Sequence, residues 1–131
     1  MPHSSKARFR RRLWIAYWLL IFAATHIPSG QVPRVQRKHV DKVVHFGMYF
    51  GLSILGARYV AVTDPATRRK RILIWAGVFV AYAAFDEWLQ QYTYRSMDFW
   101  DWVADTGGVT SGTACALALF RSDSRNRGDA S

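Results

Sequence analysis

Four acidic residues lie beside long apolar stretches of this 131-residue chain. Asp86 and Glu87 end one apolar run, and Asp101 and Asp105 open another. If those runs cross a membrane, each charge costs up to about 2.5–3.5 kcal/mol at mid-bilayer on insertion scales. A partner charge, water or a ligand has to offset that cost. Carboxylates in such places suit two tasks, proton transfer as a general base and coordination of a divalent cation through hard oxygens. The nearby cations Lys42, His45 and Arg95 can hold a phosphate or another anion, the arginine through its bidentate fork. Asp41, Gln90 and Asp98 complete a supporting polar network.

Four apolar runs must position these groups. The first, 13–27, follows several arginines and is closed by Pro28. Its core is rich in Trp and Tyr and no clear A-x-A site follows, so it reads as a retained helix and not a cleaved signal. The stretch 28–40 contains Gly30 and Pro33 and reads as a loop. The second run, 41–62, has Arg58 near its far end, where the side chain can snorkel. Asp64 and Pro65 then turn the chain into a basic connection. The third run, 72–92, is apolar until Asp86. A tight link, 93–97, leads to the fourth, 98–120. Each run is close to the roughly 20 residues that span about 30 Å of hydrocarbon at about 1.5 Å per residue. Backbone groups in lipid must pair within their own segment, so all four should be helices.

Charge orients them. The net charge is +9 and half of the residues are hydrophobic. Twelve Lys and Arg fall at 6–12, 68–71 and 121–127, against four at 34–38 and 95. The positive-inside rule then predicts an all-α four-transmembrane-helix bundle in the cytoplasmic membrane, with both termini cytoplasmic. Residues 1–12 form a basic cytoplasmic segment, 13–120 the membrane domain and 121–131 a polar, disordered tail. No zinc-finger spacing, RNP-type motif or basic heptad helix accompanies the charge, so no nucleic-acid partner is expected. Cys115 is the sole cysteine; no intrachain disulfide can form, and it reads as a small packing residue.

This topology brings three remote clusters to the outer face. They are Asp41, Lys42 and His45; Asp86, Glu87, Gln90 and Gln91; and Arg95, Asp98, Asp101 and Asp105. Helical phase agrees. Asp41 and His45 are four apart, as are Asp86 and Gln90, with Tyr82 one turn deeper. Asp98, Asp101 and Asp105 share one face, and Gly108 and Gly112 continue it as a small-residue packing seam, with Ala104 and Ala116 beside it. Gly47 and Gly51 form a second such pair on helix two. Plainer roles stand beside these. Asp41 can simply complement a helix N-terminus, Asp98 can cap helix four, and His26 reads as an interfacial residue.

In order along the chain, D-K-x-x-H (Asp41, Lys42, His45), D-E-x-x-Q (Asp86, Glu87, Gln90) and R-S-x-D-x-x-D (Arg95, Ser96, Asp98, Asp101) resemble the VanZ-like family. The segment V-A-D-T-G-G, 103–108, continues the resemblance, which covers about 41–112. Asp105 stands where that family often has Asn, and it adds a negative charge. The resemblance implies a small integral membrane protein of the bacterial cell envelope. The family takes its name from an accessory protein associated with resistance to the glycopeptide teicoplanin, so an accessory resistance role is one implied function.

Three readings of the cluster follow. In the first, it binds or modifies the head group of an envelope lipid or lipid-linked glycan, with one of Asp86, Glu87, Asp101 and Asp105 as general base and Lys42, His45 and Arg95 on the anion. In the second, those four carboxylates and Gln90 hold Mg²⁺ or Ca²⁺, with His45 biasing the site toward a transition metal; zinc fits poorly without a thiolate or a second well-placed His. In the third, the charges pair among themselves to fix helix register and the protein acts through envelope partners. Acids outnumber bases in the set, so complete pairing needs protons or ions. Membrane lipids are the expected partners under every reading. No GxSxG, P-loop, HExxH or Rossmann glycine pattern is present.

Overall fold

The computed structural model describes residues 5–26, 38–63, 67–93 and 98–128. They form four α-helices and no strand: α1 (Ser5–Thr25), α2 (Lys38–Thr63), α3 (Arg68–Gln90) and α4 (Phe99–Gly128). One 3₁₀ turn, Gln91–Thr93, prolongs α3.

The helices outrun the apolar runs at both chain ends. α1 begins at Ser5 instead of residue 13, because Lys, Arg and Ala are good helix formers and extend the apolar segment without a break. Its Arg10 donates to the Arg58 carbonyl near the far end of α2, 3.1 Å away. α4 continues to Gly128, so the expected disorder from 121 onward is corrected over 121–128. Once nucleated, a helix adds one hydrogen bond per residue, and no Pro or Gly stands between Thr113 and Arg127 to interrupt it.

Among the described residues two helices are long and apolar enough to cross a membrane, Val40–Ala61 and Arg68–Gln90, where four were expected. α1 opens with arginines, and α4 carries Asp101, Asp105 and a polar final third.

Consecutive helices run in opposite directions. Arg10 meets Arg58 at one end, where Arg68 also lies over the Phe120 ring at 5.0 Å. Thr25 meets Asp86 and Lys42 meets Asp98 at the other end. The core between them is aromatic. Trp14 stacks on Tyr59 at 5.4 Å and meets Trp75 edge-on at 4.8 Å, while Trp18 meets Phe79 and Tyr82 edge-on. Ile21, Leu52, Ala83 and Val109 fill the spaces among these rings. Offset and edge-on geometries are the ones that ring quadrupoles favour.

The seam along α4 is real. A methyl at Gly108 would fall against the Phe46 carbonyl, and one at Gly112 would lie 2.7 Å from the Phe50 carbonyl oxygen. The second expected pair divides. Gly51 packs under the Tyr17 hydroxyl, whereas among the described residues nothing lies within 4 Å of a methyl at Gly47, which forms no seam with them. Cys115 is also exposed on α4 and is not a buried packing residue.

Candidate functional site

The polar end of the bundle holds the chemistry, and α2 supplies its first layer. Lys42, one turn into α2, reaches across to α4, with Nζ 2.9 Å from Asp98 Oδ2 and 2.8 Å from Asp101 Oδ1. Asp98 has a second task. Its Oδ1 accepts the Trp100 N–H at 2.8 Å, which caps the start of α4 as a residue of this type at that position should. Asp41 lies in the first turn of α2, where a negative charge complements the helix dipole. A carboxylate oxygen of Asp41 also lies within 4.8 Å of ligand atoms of His45 and Asp101.

One turn deeper the site is closed to solvent. His45 Nδ1 lies 3.0 Å from Asp105 Oδ1 and 4.0 Å from Glu87 Oε1, and all three residues are buried. Glu87 Oε1 accepts from Gln90 Nε2 at 3.1 Å, while Oε2 accepts the Asp98 N–H at 3.3 Å. One carboxylate thereby ties the end of α3 to the start of α4. Asp86 turns instead toward α1. Its Oδ1 lies 3.2 Å from Thr25 Oγ1, 3.4 Å from the Tyr82 hydroxyl and 3.7 Å from His26 Nδ1. The His26 ring is held by its own helix, with Nδ1 donating to the Phe22 carbonyl at 2.8 Å.

Asp86 Oδ2, Asp105 Oδ2 and the Tyr49 hydroxyl are among the buried polar atoms with no hydrogen-bond partner among the described residues. All three residues have 0% exposure. Tyr49 follows His45 by one turn of α2, so it lies on the same face, and the charges of Asp86, Asp105 and Glu87 bear on it. A buried polar group without a partner costs about 1–3 kcal/mol, more when charged, so an arrangement with three of them is not built for stability.

The segments 41–45, 86–90 and 98–105 therefore meet, and every site residue named from the sequence except Arg95 lies in this end of the bundle. Arg95 falls outside the described residues. Three side chains escaped the sequence reading, the buried Tyr49 among them. Thr25 and His26, at the end of the first expected membrane helix, where His26 was read as interfacial, close the site over Asp86. Alternating topology was the available signal, since it places the end of helix one beside the ends of the other three. Thr25→Val keeps the shape and removes the hydroxyl. It should lower stability by about 1.5–3 kcal/mol, the range for a hydrogen bond to a charged group, read as a fall in unfolding midpoint in detergent. An unchanged midpoint would show that the hydroxyl serves the Phe22 carbonyl, 3.1 Å away, and not Asp86.

Six carboxyl groups (Asp41, Asp86, Glu87, Asp98, Asp101, Asp105) thus surround one lysine and two histidines among the described residues. Lys42 and His45 both face carboxylates. Such a cluster can transfer protons or gather a cation. It can hold an anion where a cation or the mouth lysine offsets the acids.

A family model described as VanZ/LLP1 matches residues 4–121, most of the chain. No curated protein and no solved structure matches it.

Proposed function

The chain belongs to the VanZ/LLP1 family, and on that premise we propose that it is a four-span protein of the cytoplasmic membrane, both termini inside, whose outward-facing chamber binds or modifies the head group of an envelope lipid or lipid-linked glycan. One observation carries this reading: the acids of α3 and α4 and the cation and imidazole of α2 share a single polar cluster, buried at His45, Glu87, Asp101 and Asp105, at one end of the bundle.

The surface supports the membrane part. All four helices turn large apolar side chains outward, among them Leu19 at 64%, Val43 at 70%, Ile74 at 55% and Leu119 at 60% exposure. A water-facing monomer rarely shows so much apolar surface, and lipid would cover it on α1 and α4 as on α2 and α3. Around the chamber, Trp88, Tyr92, Phe99 and Trp100 are exposed, as in an aromatic belt at a head-group boundary. The basic stretches 6–12 and 68–71 begin α1 and α3 toward the opposite end, where Arg10 meets Arg58 and Arg68 lies over Phe120. A lipid in the outer leaflet would present its head group at the depth of Lys42, Asp98 and Asp101. There Lys42, with Arg95 from the linker, would meet a phosphate, and Asp101 or Glu87 would take a proton from the reacting group.

Lipids extracted from protein purified in mild detergent test this directly. Mass spectrometry should find one phosphate-bearing envelope lipid class enriched over the surrounding membrane. The double variant Glu87→Gln/Asp101→Asn should lose that enrichment at least tenfold. Equal enrichment in the folded double variant would overturn the proposal.

A further inference from the structure

We infer that His45, Glu87 and Asp105 form a site for one divalent transition-metal cation of the Mn²⁺ type, in the floor of the chamber. The inference deepens the head-group reading but rests on it only for the use of the ion, not for its binding.

Geometry comes first. One ligand atom from each of the three residues lies within 4.8 Å of the others, and all three residues are buried. Two ligands about 2.1 Å from a shared metal lie about 3.0 Å apart at right angles and about 4.2 Å apart across it. The distances here are 3.0 Å from His45 Nδ1 to Asp105 Oδ1 and 4.0 Å from His45 Nδ1 to Glu87 Oε1. They match an edge and a near-diagonal of one coordination shell. An imidazole that ligates through Nδ1 carries its proton on Nε2.

Charge and unpaired atoms point the same way. Two carboxylates and a neutral imidazole leave a local charge that one divalent ion offsets. Asp105 Oδ2, in a fully buried residue of the triplet, has no hydrogen-bond partner among the described residues, and neither has the buried hydroxyl of Tyr49, one turn from His45 on the same helix. Glu87 is already oriented by Gln90 Nε2 and the Asp98 N–H, as ligating carboxylates usually are.

A rival triplet, Asp41, His45 and Asp101, lies nearer the mouth. There the Lys42 ammonium sits 2.8 Å from Asp101 and does the work of a cation. No lysine or arginine bonds Asp105 or Glu87 among the described residues, so the deeper triplet is the one that needs an ion. A donor set of one nitrogen and two carboxylates suits Mn²⁺ better than Ca²⁺, which takes oxygens alone. An ion here would also let an acidic chamber hold a phosphate, bridging the carboxylates to the head group.

The test uses the full chain in detergent, stripped with a chelator and titrated with Mn²⁺ while the electron paramagnetic resonance signal of free Mn²⁺ is followed. One ion per chain should bind, equimolar Ca²⁺ should not displace it, and the bound spectrum should show coupling to one imidazole nitrogen. Glu87→Gln and Asp105→Asn should each weaken binding at least tenfold, and His45→Gln should abolish the nitrogen coupling. Circular dichroism and gel filtration establish that each variant is folded; the nitrogen coupling of the unaltered protein needs no variant at all. Absence of binding, a bound ion without nitrogen coupling, displacement by Ca²⁺, or loss of binding in Asp41→Asn but not Asp105→Asn would each overturn the inference. Stripped protein that keeps its lipid while binding no ion would defeat this inference alone. Protein that binds the ion but carries no enriched lipid would defeat the head-group reading alone.

Discussion

Gly108→Ala is expected to lower stability more than any other glycine-to-alanine change in this chain, by about 1–3 kcal/mol or more. The added methyl would land on the backbone carbonyl of Phe46, with the Phe50 N 2.9 Å away. Backbone cannot rotate aside as a side chain can, so α2 and α4 must separate or shift. Separation also pulls Lys42 from Asp98 and Asp101 and His45 from Asp105, since those pairs bridge the same two helices. Gly47→Ala and Gly77→Ala are the controls. Nothing lies within 4 Å of either new methyl, so stability should stay level or rise slightly through better helix propensity. Thermal unfolding in detergent, followed by circular dichroism, checks the order. Equal midpoints for Gly108→Ala and Gly47→Ala would mean that α2 and α4 do not approach as described.

Lys42→Met should be the most damaging single change in the polar end. It removes a cation that holds Asp98 and Asp101 together, at 2.9 and 2.8 Å. Removing one partner of a fully buried pair costs about 3–5 kcal/mol, because the other charge stays behind. Lys42 is 29% exposed and Asp98 43%, whereas Asp101 is only 8% exposed. Water thus relieves Asp98 but not Asp101, and a loss of about 2–3 kcal/mol is expected. The double variant Lys42→Met/Asp101→Asn should recover at least half of that loss, since the stranded charge is gone. A double variant no more stable than Lys42→Met would show that the lysine acts by packing and not by pairing with Asp101.

The chamber was largely legible before the fold was known. Asp86 and Gln90 share a helical stripe, as do Asp98, Asp101 and Asp105, and a charge beside apolar sequence demands a partner wherever the helices go. Legibility failed where the pattern says nothing about a neighbour. Gly47 and Gly51 look alike as a pair four residues apart, yet Tyr17 covers one and nothing covers the other. Thr25 and His26 look like an ordinary helix end until α1 is seen against Asp86. The polar stretch from 121 has the composition of a coil, but a helix already running through 120 carries it along.

Local chemistry is enough to say that four helices form, which face of each is polar and which family the chain resembles, because helical period and apolar content act over a few turns. It also names the groups able to react. Distances between those groups are set by packing between remote segments, and no local rule supplies them. Asp105 meets His45, and Lys42 takes Asp101, because Gly108 and Gly112 let two backbones touch. The same packing leaves the Tyr49 hydroxyl and one oxygen of Asp105 without hydrogen-bond partners among the described residues.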